Sequence, residues 1–184
     1  MKFFEKQVET STVYSGIIVE IKRDIVLLQN GNRTGREVVL HPGGVGIVPV
    51  TDDNKVLMVR QFRYPIGEEL LEIPAGKLDG EEDPLECAIR ELSEETGCTA
   101  GKYVYLGRIY PSPGFCREVL HIYLALNLSF GEMHLDENEL LSVESIDIDK
   151  LIDMIMANEL SDAKSVIAIM KAKRYLESLK KTTR

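Results

Sequence analysis

The sequence predicts an α+β fold in which strands and helices are grouped along the chain. Segments rich in β-branched and apolar residues come first, a single amphipathic helix follows, more strands come after it, and two helices close the chain. The length of 184 residues suits one large domain, or one domain with a small appendage, and is sufficient for a full hydrophobic core. A doubly wound parallel sheet is disfavoured because strands and helices do not alternate regularly.

The N-terminal part of the chain has the pattern of an antiparallel β unit. Residues 13–28 are mostly β-branched or apolar, and residues 36–40 form a second such run. Asn30 and Gly31 lie between the runs and favour a hairpin-type turn. The His-Pro-Gly-Gly segment at 41–44 interrupts the pattern and marks a boundary.

This boundary divides the chain into two predicted parts of unequal size. Residues 1–42 form the N-terminal β unit, and residues 43–184 form the larger domain. Within the larger domain, residues 45–50 and 55–62 are apolar and flank an Asp-Asp-Asn segment at 52–54. We therefore expect two core strands joined by a tight turn.

The best-defined helix is predicted between residues 83 and 97. Asp83 can cap its first turn, Pro84 suits the first helical position, and Glu86 completes a capping box. Gly97 is expected to end the helix in the left-handed conformation. Three apolar residues at helical spacing are predicted to form its buried stripe: Leu85, Ile89 and Leu92.

Further strands and two more helices are expected after this helix. Residues 103–109 and 119–128 have strand patterns, and residues 148–157 have a helical pattern. A last helix is expected to begin at a cap on Ser161 and to continue through Leu176.

The composition restricts the classes of partner and compartment. With 22 basic and 30 acidic residues, the formal net charge is −8, so non-specific binding to nucleic acid or to an anionic membrane is disfavoured. Glu5 and Lys6 stand where a signal peptide would need an apolar stretch. No apolar run approaches the ~20 residues of a membrane span. Three cysteines without a CxxC pair indicate a reducing compartment. We therefore expect a cytoplasmic protein that must supply local positive charge to bind a phosphorylated ligand.

The C-terminal end of the first helix is unusually acidic. Glu91, Glu94 and Glu95 are three or four residues apart, so their carboxylates share one helix face. Two of them lie in the last turn, where the helix dipole favours cations. The carboxylates therefore repel one another and interact unfavourably with the helix dipole. A hard divalent cation such as Mg²⁺ would remove both penalties, because it prefers oxygen ligands. The alternative from the spacing alone is a solvated acidic face.

A longer motif surrounds these carboxylates. From Gly76 the chain reads GKLDGEEDPLECAIRELSEETGC, with five residues before Glu82 and seven more before Arg90. This segment resembles the Nudix box and departs from it only at Cys98, where a bulky aliphatic residue is usual. The resemblance implies the Nudix fold, a mixed sheet sandwiched between helices. It also implies Mg²⁺-dependent hydrolysis of a nucleoside diphosphate linked to another moiety, with Mn²⁺ as an alternative ion.

The resemblance assigns roles to individual positions of the box. Glu91 and Glu95 match the principal metal ligands, Glu94 matches a further or alternating one, and the backbone carbonyl of Ala75 matches another. Arg90 and Glu82 match a pair that buttresses the junction between loop and helix.

The resemblance extends over nearly the whole chain. The segments REVVLHPGGVGIVPV, VRQFRYP, LEIPAGKL, YPSPGFCRE and DENE are similar to the ADP-ribose pyrophosphatase branch. In that branch a proline follows the box by about fifteen residues, and Pro113 lies 15 residues after Cys98. This similarity implies hydrolysis of ADP-ribose to AMP and ribose 5-phosphate by a homodimer that exchanges the N-terminal β unit.

The same similarity implies a set of substrate-binding residues. They are Arg36, Glu37, Arg63, Lys77, Ser112, Pro113, Gly114 and Glu118. The branch commonly stacks an aromatic residue on adenine from the first strand, whereas this sequence has Ile17 and Ile18 there. Tyr14 or Phe62 is the alternative stacking residue.

The general base is expected in the acidic segment 136–139. Glu137 matches the glutamate that deprotonates the attacking water, and Glu139 matches a metal-linked or supporting position. A plain solvated acidic loop is the alternative, and His121 and His134 are alternative bases.

Two rival functions use the same residues. A sister Nudix enzyme that cleaves a nucleotide sugar such as GDP-mannose would have the same metal site. A non-catalytic nucleotide sensor would keep the fold and bind without turnover.

Overall fold

The computed structural model describes residues 3–135 and 139–182. The chain divides into two compact units, one formed by Met1–Gly43 with Tyr110–Val119 and the other by Gly44–Ile109 with Leu120–Arg184. The predicted division into residues 1–42 and 43–184 stays a prediction. It did not assign residues 110–119 to the smaller unit.

The smaller unit is an antiparallel sheet of three strands. Its strands are β1 (Glu5–Ser15), β2 (Glu20–Leu28) and β3 (Arg33–Leu40), paired in the order β1-β2-β3. Gly31 has a φ of 85° in the turn between β2 and β3, as the Asn-Gly pair predicts. Every residue of β1 is exposed.

The larger unit contains two sheets. Its strands are β4 (Gly44–Pro49), β5 (Lys55–Arg63), β6 (Glu68–Glu72), β7 (Ala75–Lys77), β8 (Cys98–Ile109), β9 (Leu120–Phe130) and β10 (Leu141–Asp147). One sheet has the order β7-β4-β9-β8 and is mixed, since β4 and β9 are parallel. The other has the order β10-β5-β6 and is antiparallel.

Three helices complete the described part of the larger unit. They are α1 (Pro84–Thr96), α2 (Ile148–Met156) and α3 (Ala163–Thr182). Apolar residues of β4, β5, β9, α2 and α3 form one core cluster, and α1 covers a second one on β4 and β9. The α+β prediction is therefore confirmed. None of the helices in the described part of the chain combines the length and apolar character that a membrane crossing requires.

Two details of the predicted helices are wrong. Leu85 and Ile89 are 37% and 41% exposed, because α1 instead buries the face formed by Cys87, Ala88, Glu91, Leu92 and Glu95. The first turn of α3 is capped by Asp162, not by Ser161, since an Asp162 carboxylate oxygen accepts the Ser165 amide at 3.0 Å.

Three strands were not predicted from the sequence, namely β6, β7 and β10. They are three to seven residues long and partly exposed, so their apolar pattern is weak. They form because each pairs with β4 or β5.

Candidate active site at the C-terminal end of helix α1

Local signals determine the two ends of α1. The Asp83 side chain accepts the Leu85 amide at 2.8 Å, and Gly97 has a φ of 67° with its amide bonded to the Ser93 carbonyl. Both ends agree with the sequence prediction.

The C-terminal end of α1 also receives the segment 131–134. The Gly131 amide donates to the Gly97 carbonyl at 2.7 Å, and the His134 amide donates to the Glu94 carbonyl at 3.1 Å. A Cβ on Gly97 would approach backbone atoms of residues 131–133 to 2.9 Å. Glycine is therefore required there both by its φ and by the close approach of this segment.

Two carboxylates at this end of the helix are buried. Glu91 is 8% exposed and Glu95 is 3% exposed. Glu95 accepts the Ala75 amide at 2.9 Å. Glu91 lies directly over Gly76, where a Cβ would come within 1.8 Å of its Oε1 atom. The first glycine of the box is thus needed because a side chain there would occupy the position of the Glu91 carboxylate.

Burial raises the pKa of both carboxyl groups. The pKa of Glu95 rises to about 8, chiefly by desolvation and further by the charges of Glu91 and Glu139, against the opposing Ala75 hydrogen bond and the Arg63 charge. The pKa of Glu91 is raised chiefly by desolvation, against the opposing charge of Arg90. The ionised forms of both carboxyl groups are therefore unfavourable in this site unless a cation compensates their charge.

Arg90 is the main cation of this site. Its Nε and Nη2 atoms donate to Glu82 at 3.1 and 3.0 Å, and its Nη1 atom donates to Glu91 at 2.7 Å and to Glu94 at 3.0 Å. The Arg90 hydrogen bond lowers the pKa of Glu82 to about 2. Arg90 also reaches the Lys77 carbonyl at 3.3 Å, so it ties the loop before α1 to the helix.

The oxygen atoms gathered here have the chemistry of a site for a hard divalent cation. Glu91, Glu95 and the Ala75 backbone meet at one place, and the charges of Glu94 and Glu139 act on Glu91 or Glu95. Within residues 3–135 and 139–182, no three His, Cys, Asp or Glu side chains are already grouped as a metal cluster. The carboxylates instead contact Arg90 and the Ala75 amide. The donor set fits a hard divalent cation because it consists only of oxygens.

The predicted substrate residues fall into both compact units. Arg36 and Glu37 lie on β3, where Arg36 forms a bidentate, half-exposed pair with Glu5. Ser112 begins a turn in which its carbonyl accepts the Phe115 and Cys116 amides. Pro113 and Gly114 are exposed in that turn. The Oε1 atom of Glu118 lies 3.6 Å from the Nδ1 atom of His41.

Two predicted substrate residues lie in the larger unit. Arg63 donates two hydrogen bonds of 2.7 Å to Glu72, which is fully buried. The Lys77 side chain is exposed at the end of β7, and its carbonyl accepts from Arg90 and from the Cys87 thiol. Glu137, the predicted base, lies outside the described residues.

Sequence reasoning missed the charged cluster around Glu72. Its other members are Lys164, Asp162 and Ser165 at the start of α3. The Asp-x-x-Ser spacing could have indicated the helix cap, but nothing local could have paired it with a strand about 90 residues earlier.

Two proteins of the genus Bacillus are similar to this chain over most of its length. ADP-ribose pyrophosphatase of Bacillus subtilis is 41% identical over 90% of each chain, and methanol dehydrogenase activator of Bacillus methanolicus is 40% identical over 91% of each chain. GDP-mannose pyrophosphatase of Salmonella choleraesuis is less similar, with 31% identity over 74% of this chain and 76% of its own.

The fold and the box lead to the same family. A solved structure described as an ADP compounds hydrolase superimposes with a TM-score of 0.85 over 95% of each chain at 23% identity, and so supports the fold. The family model for the NUDIX domain matches residues 40–168, which include the whole box from Gly76 to Cys98. The chain therefore belongs to the NUDIX family of hydrolases, whose members generally use divalent metal ions.

Proposed function

We propose that this protein is a Mg²⁺-dependent enzyme that hydrolyses ADP-ribose to AMP and ribose 5-phosphate. Water attacks the diphosphate, and one phosphate stays with each product. The observation that carries the proposal is the pair of buried, incompletely neutralised carboxylates, Glu91 and Glu95, against Ala75 and Gly76. The substrate is inferred from the 41% identity to a protein named ADP-ribose pyrophosphatase.

Glu91, Glu95, Glu139 and the Ala75 carbonyl would hold Mg²⁺, with Mn²⁺ as an alternative ion. The bound ion would neutralise charge on the diphosphate and lower the pKa of the attacking water. Glu94, which shares Arg90 with Glu91, is a further or alternating ligand. Arg90 limits the repulsion among these carboxylates and keeps them near one another before the ion binds.

Glu137 is proposed as the general base. The preceding segment 131–134 is anchored on the end of α1, since the Gly131 amide donates to the Gly97 carbonyl and the His134 amide donates to the Glu94 carbonyl. His121, an alternative base, instead shares a 3.1 Å hydrogen bond with the Tyr105 hydroxyl. Glu137→Gln should lower turnover with little change in metal affinity. An unchanged rate would assign the base role to another group.

The proposed substrate residues are Arg36, Glu37, Arg63, Lys77, Ser112, Pro113, Gly114 and Glu118. The two arginines differ in how freely they could bind a phosphate. The pair between Arg36 and Glu5 is half-exposed, so an anionic ligand can replace Glu5 at little cost. The pair between Arg63 and Glu72 is buried on the Glu72 side, so we expect Arg63 to keep that partner while it contacts substrate.

We also propose a homodimer that exchanges its N-terminal β unit. Every residue of β1 is exposed in the single chain, and so are the large apolar side chains of Phe3, Phe4, Val13 and Ile17. β1 is also the edge strand of its sheet, and an exposed strand edge flanked by exposed apolar side chains is typical of protein–protein interfaces. Sedimentation that detects only monomer would contradict this part of the proposal.

The three free cysteines agree with the proposed location in the cytoplasm.

A side-by-side assay tests the substrate. Purified protein with saturating Mg²⁺ is given ADP-ribose or GDP-mannose, and the products are separated by chromatography. We expect kcat/KM to be much higher for ADP-ribose. A preference for GDP-mannose would favour the sister enzyme, and binding of ADP-ribose without turnover would favour the nucleotide sensor. The similarity to a protein named as an activator is the reason to include the binding measurement.

A further inference from the structure

A buried cluster of charged side chains lies where β6 ends and α3 begins. Glu72 is fully buried and accepts two hydrogen bonds of 2.7 Å from Arg63. The Lys164 ammonium contacts the same carboxylate and lies 3.0 Å from Asp162. Both cations lower the pKa of Glu72, against the opposing effect of burial. Glu72 is thus held as a carboxylate between two cations from different parts of the chain.

Ser165 connects this cluster to the backbone of Ile73, the residue directly after β6. The Ser165 side chain is fully buried, its hydroxyl donates to Asp162 at 2.5 Å, and the same hydroxyl accepts the Ile73 amide at 2.8 Å. A buried backbone amide without a partner is destabilising, because it loses its hydrogen bond to water. The Ile73 amide is therefore held in place by a side chain 92 residues later in the sequence.

The next three residues lead directly to the carboxylates of the active site. The Pro74 carbonyl accepts the Ile47 amide at 2.9 Å. The Ala75 amide donates to Glu95 at 2.9 Å, and Gly76 lies under Glu91. The segment from Glu72 to Gly76 is therefore fixed by the buried cluster at one end and contacts both buried carboxylates at the other.

We propose that Ser165 and Lys164 are positioning residues for the metal site. They hold residues 72–75 at a fixed place, and this presents the Ala75 amide to Glu95. The inference rests on the proposed function, because it concerns the same carboxylates. Groups that orient metal ligands in this way typically contribute about 10- to 100-fold to metal affinity.

Ser165→Ala tests the role of the hydroxyl without adding volume. We expect amide hydrogen exchange at Ile73 and Ala75 to become at least about tenfold faster in the metal-free protein, and Mn²⁺ affinity to fall about tenfold or more. Mn²⁺ binding is followed by electron paramagnetic resonance, which does not depend on turnover. The Mg²⁺ concentration for half-maximal rate should rise by a similar factor, while KM at saturating Mg²⁺ should change little.

Ile169→Val is the matched control. Ile169 is also fully buried on α3, but it packs in the apolar core. This variant should lower the melting temperature without changing Mn²⁺ affinity. Equal losses of Mn²⁺ affinity in the two variants would overturn the proposal, because the effect would then be general destabilisation. Unchanged exchange and unchanged Mn²⁺ affinity in Ser165→Ala would overturn it as well.

Lys164 provides a second variant pair if Ser165→Ala fails to fold. Lys164→Met keeps the length of the side chain and removes its charge, whereas Lys164→Arg keeps the charge. We expect Lys164→Met to weaken Mn²⁺ binding and Lys164→Arg to restore most of it. Similar weakening in both variants, or in neither, would exclude a positioning role for the Lys164 charge. Failure of the wild-type protein to bind Mn²⁺ would reject the proposed function itself, and the exchange rates would still test whether Ser165 positions Ala75.

Discussion

Glu72 and Glu95 are both almost completely buried, at 0% and 3% exposed, yet their electrostatic environments are opposite. Glu72 contacts two cations, Arg63 and Lys164, and its pKa is lowered. Among the described residues, Glu95 accepts a hydrogen bond from the Ala75 amide and pairs with no cation, and burial raises its pKa to about 8. The two regions lie at opposite ends of the same short segment, residues 72–75.

Burial alone therefore does not identify a ligand site. A buried carboxylate with two cationic partners is already compensated, so it stabilises a structure and has little need of a metal. Desolvation destabilises the charged form of a buried carboxylate that has no cationic partner, and a bound divalent cation can offset this penalty. Glu72 is therefore interpreted as structural, and Glu95 as part of the proposed metal site.

The largest expected effect is on catalysis, through Glu91 beside Glu95. Glu91→Gln removes one proposed ligand and changes the side-chain shape very little. We expect kcat to fall about 10²- to 10³-fold, which corresponds to about 3–4 kcal/mol, with the circular dichroism spectrum unchanged. Glu86→Gln, an exposed change in the first turn of the same helix, should keep the wild-type rate. A near-normal rate in Glu91→Gln would remove Glu91 from the mechanism.

The second largest effect is on stability, through Glu72. Glu72→Gln leaves Arg63 and Lys164 without their buried carboxylate partner. We expect the free energy of unfolding to fall by about 3 kcal/mol, as is common when one partner of a buried ion pair is removed. Urea denaturation measures the change. Glu69→Gln, on the exposed side of the same strand, is the control, and equal stability of the two variants would show that the cluster contributes little.

A smaller effect is expected on the pH dependence of stability, through the raised pKa of Glu95. The raised pKa of Glu95 means that the folded, metal-free protein binds more protons than the unfolded chain between about pH 4.5 and pH 8, so stability decreases as the pH rises through this window. Glu95→Gln removes this component. In a chelating buffer, its melting temperature should therefore exceed that of the wild type by an amount that grows from pH 5.5 to pH 8.5. A constant difference would mean that Glu95 is not protonated in the folded protein.

The smallest effect concerns Glu82, which lies at the start of the box. The pKa of Glu82 is lowered to about 2, so its contribution is present above about pH 4.5 and is lost as the pH falls through about 2. Because the pair with Arg90 is partly exposed, we expect Glu82→Gln to cost only about 1 kcal/mol at pH 7. Chemical denaturation at pH 7 and pH 2.5 should show a smaller difference at the lower pH. Glu81→Gln, a change at the exposed neighbouring position, should have the same free energy of unfolding as the wild type at either pH.

Some errors of the sequence analysis have a common physical cause. Leu85 and Ile89 were expected on the buried face of α1 because apolar residues usually occupy that face. In the structure that face includes Glu91 and Glu95 instead. The buried face keeps Leu92 but takes in these two carboxylates rather than Leu85 and Ile89, and a rule based on hydrophobic periodicity cannot anticipate this.

Local sequence signals are sufficient to locate both ends of α1 and the three glutamates that share one of its faces. Caps and helical periodicity depend only on residues a few positions apart. Three other contacts depend on how the chain packs: Glu91 lies over Gly76, Glu95 accepts the Ala75 amide, and the Ser165 hydroxyl accepts the Ile73 amide. These contacts join residues between 15 and 92 positions apart, so they exist only after the strands and helices have packed.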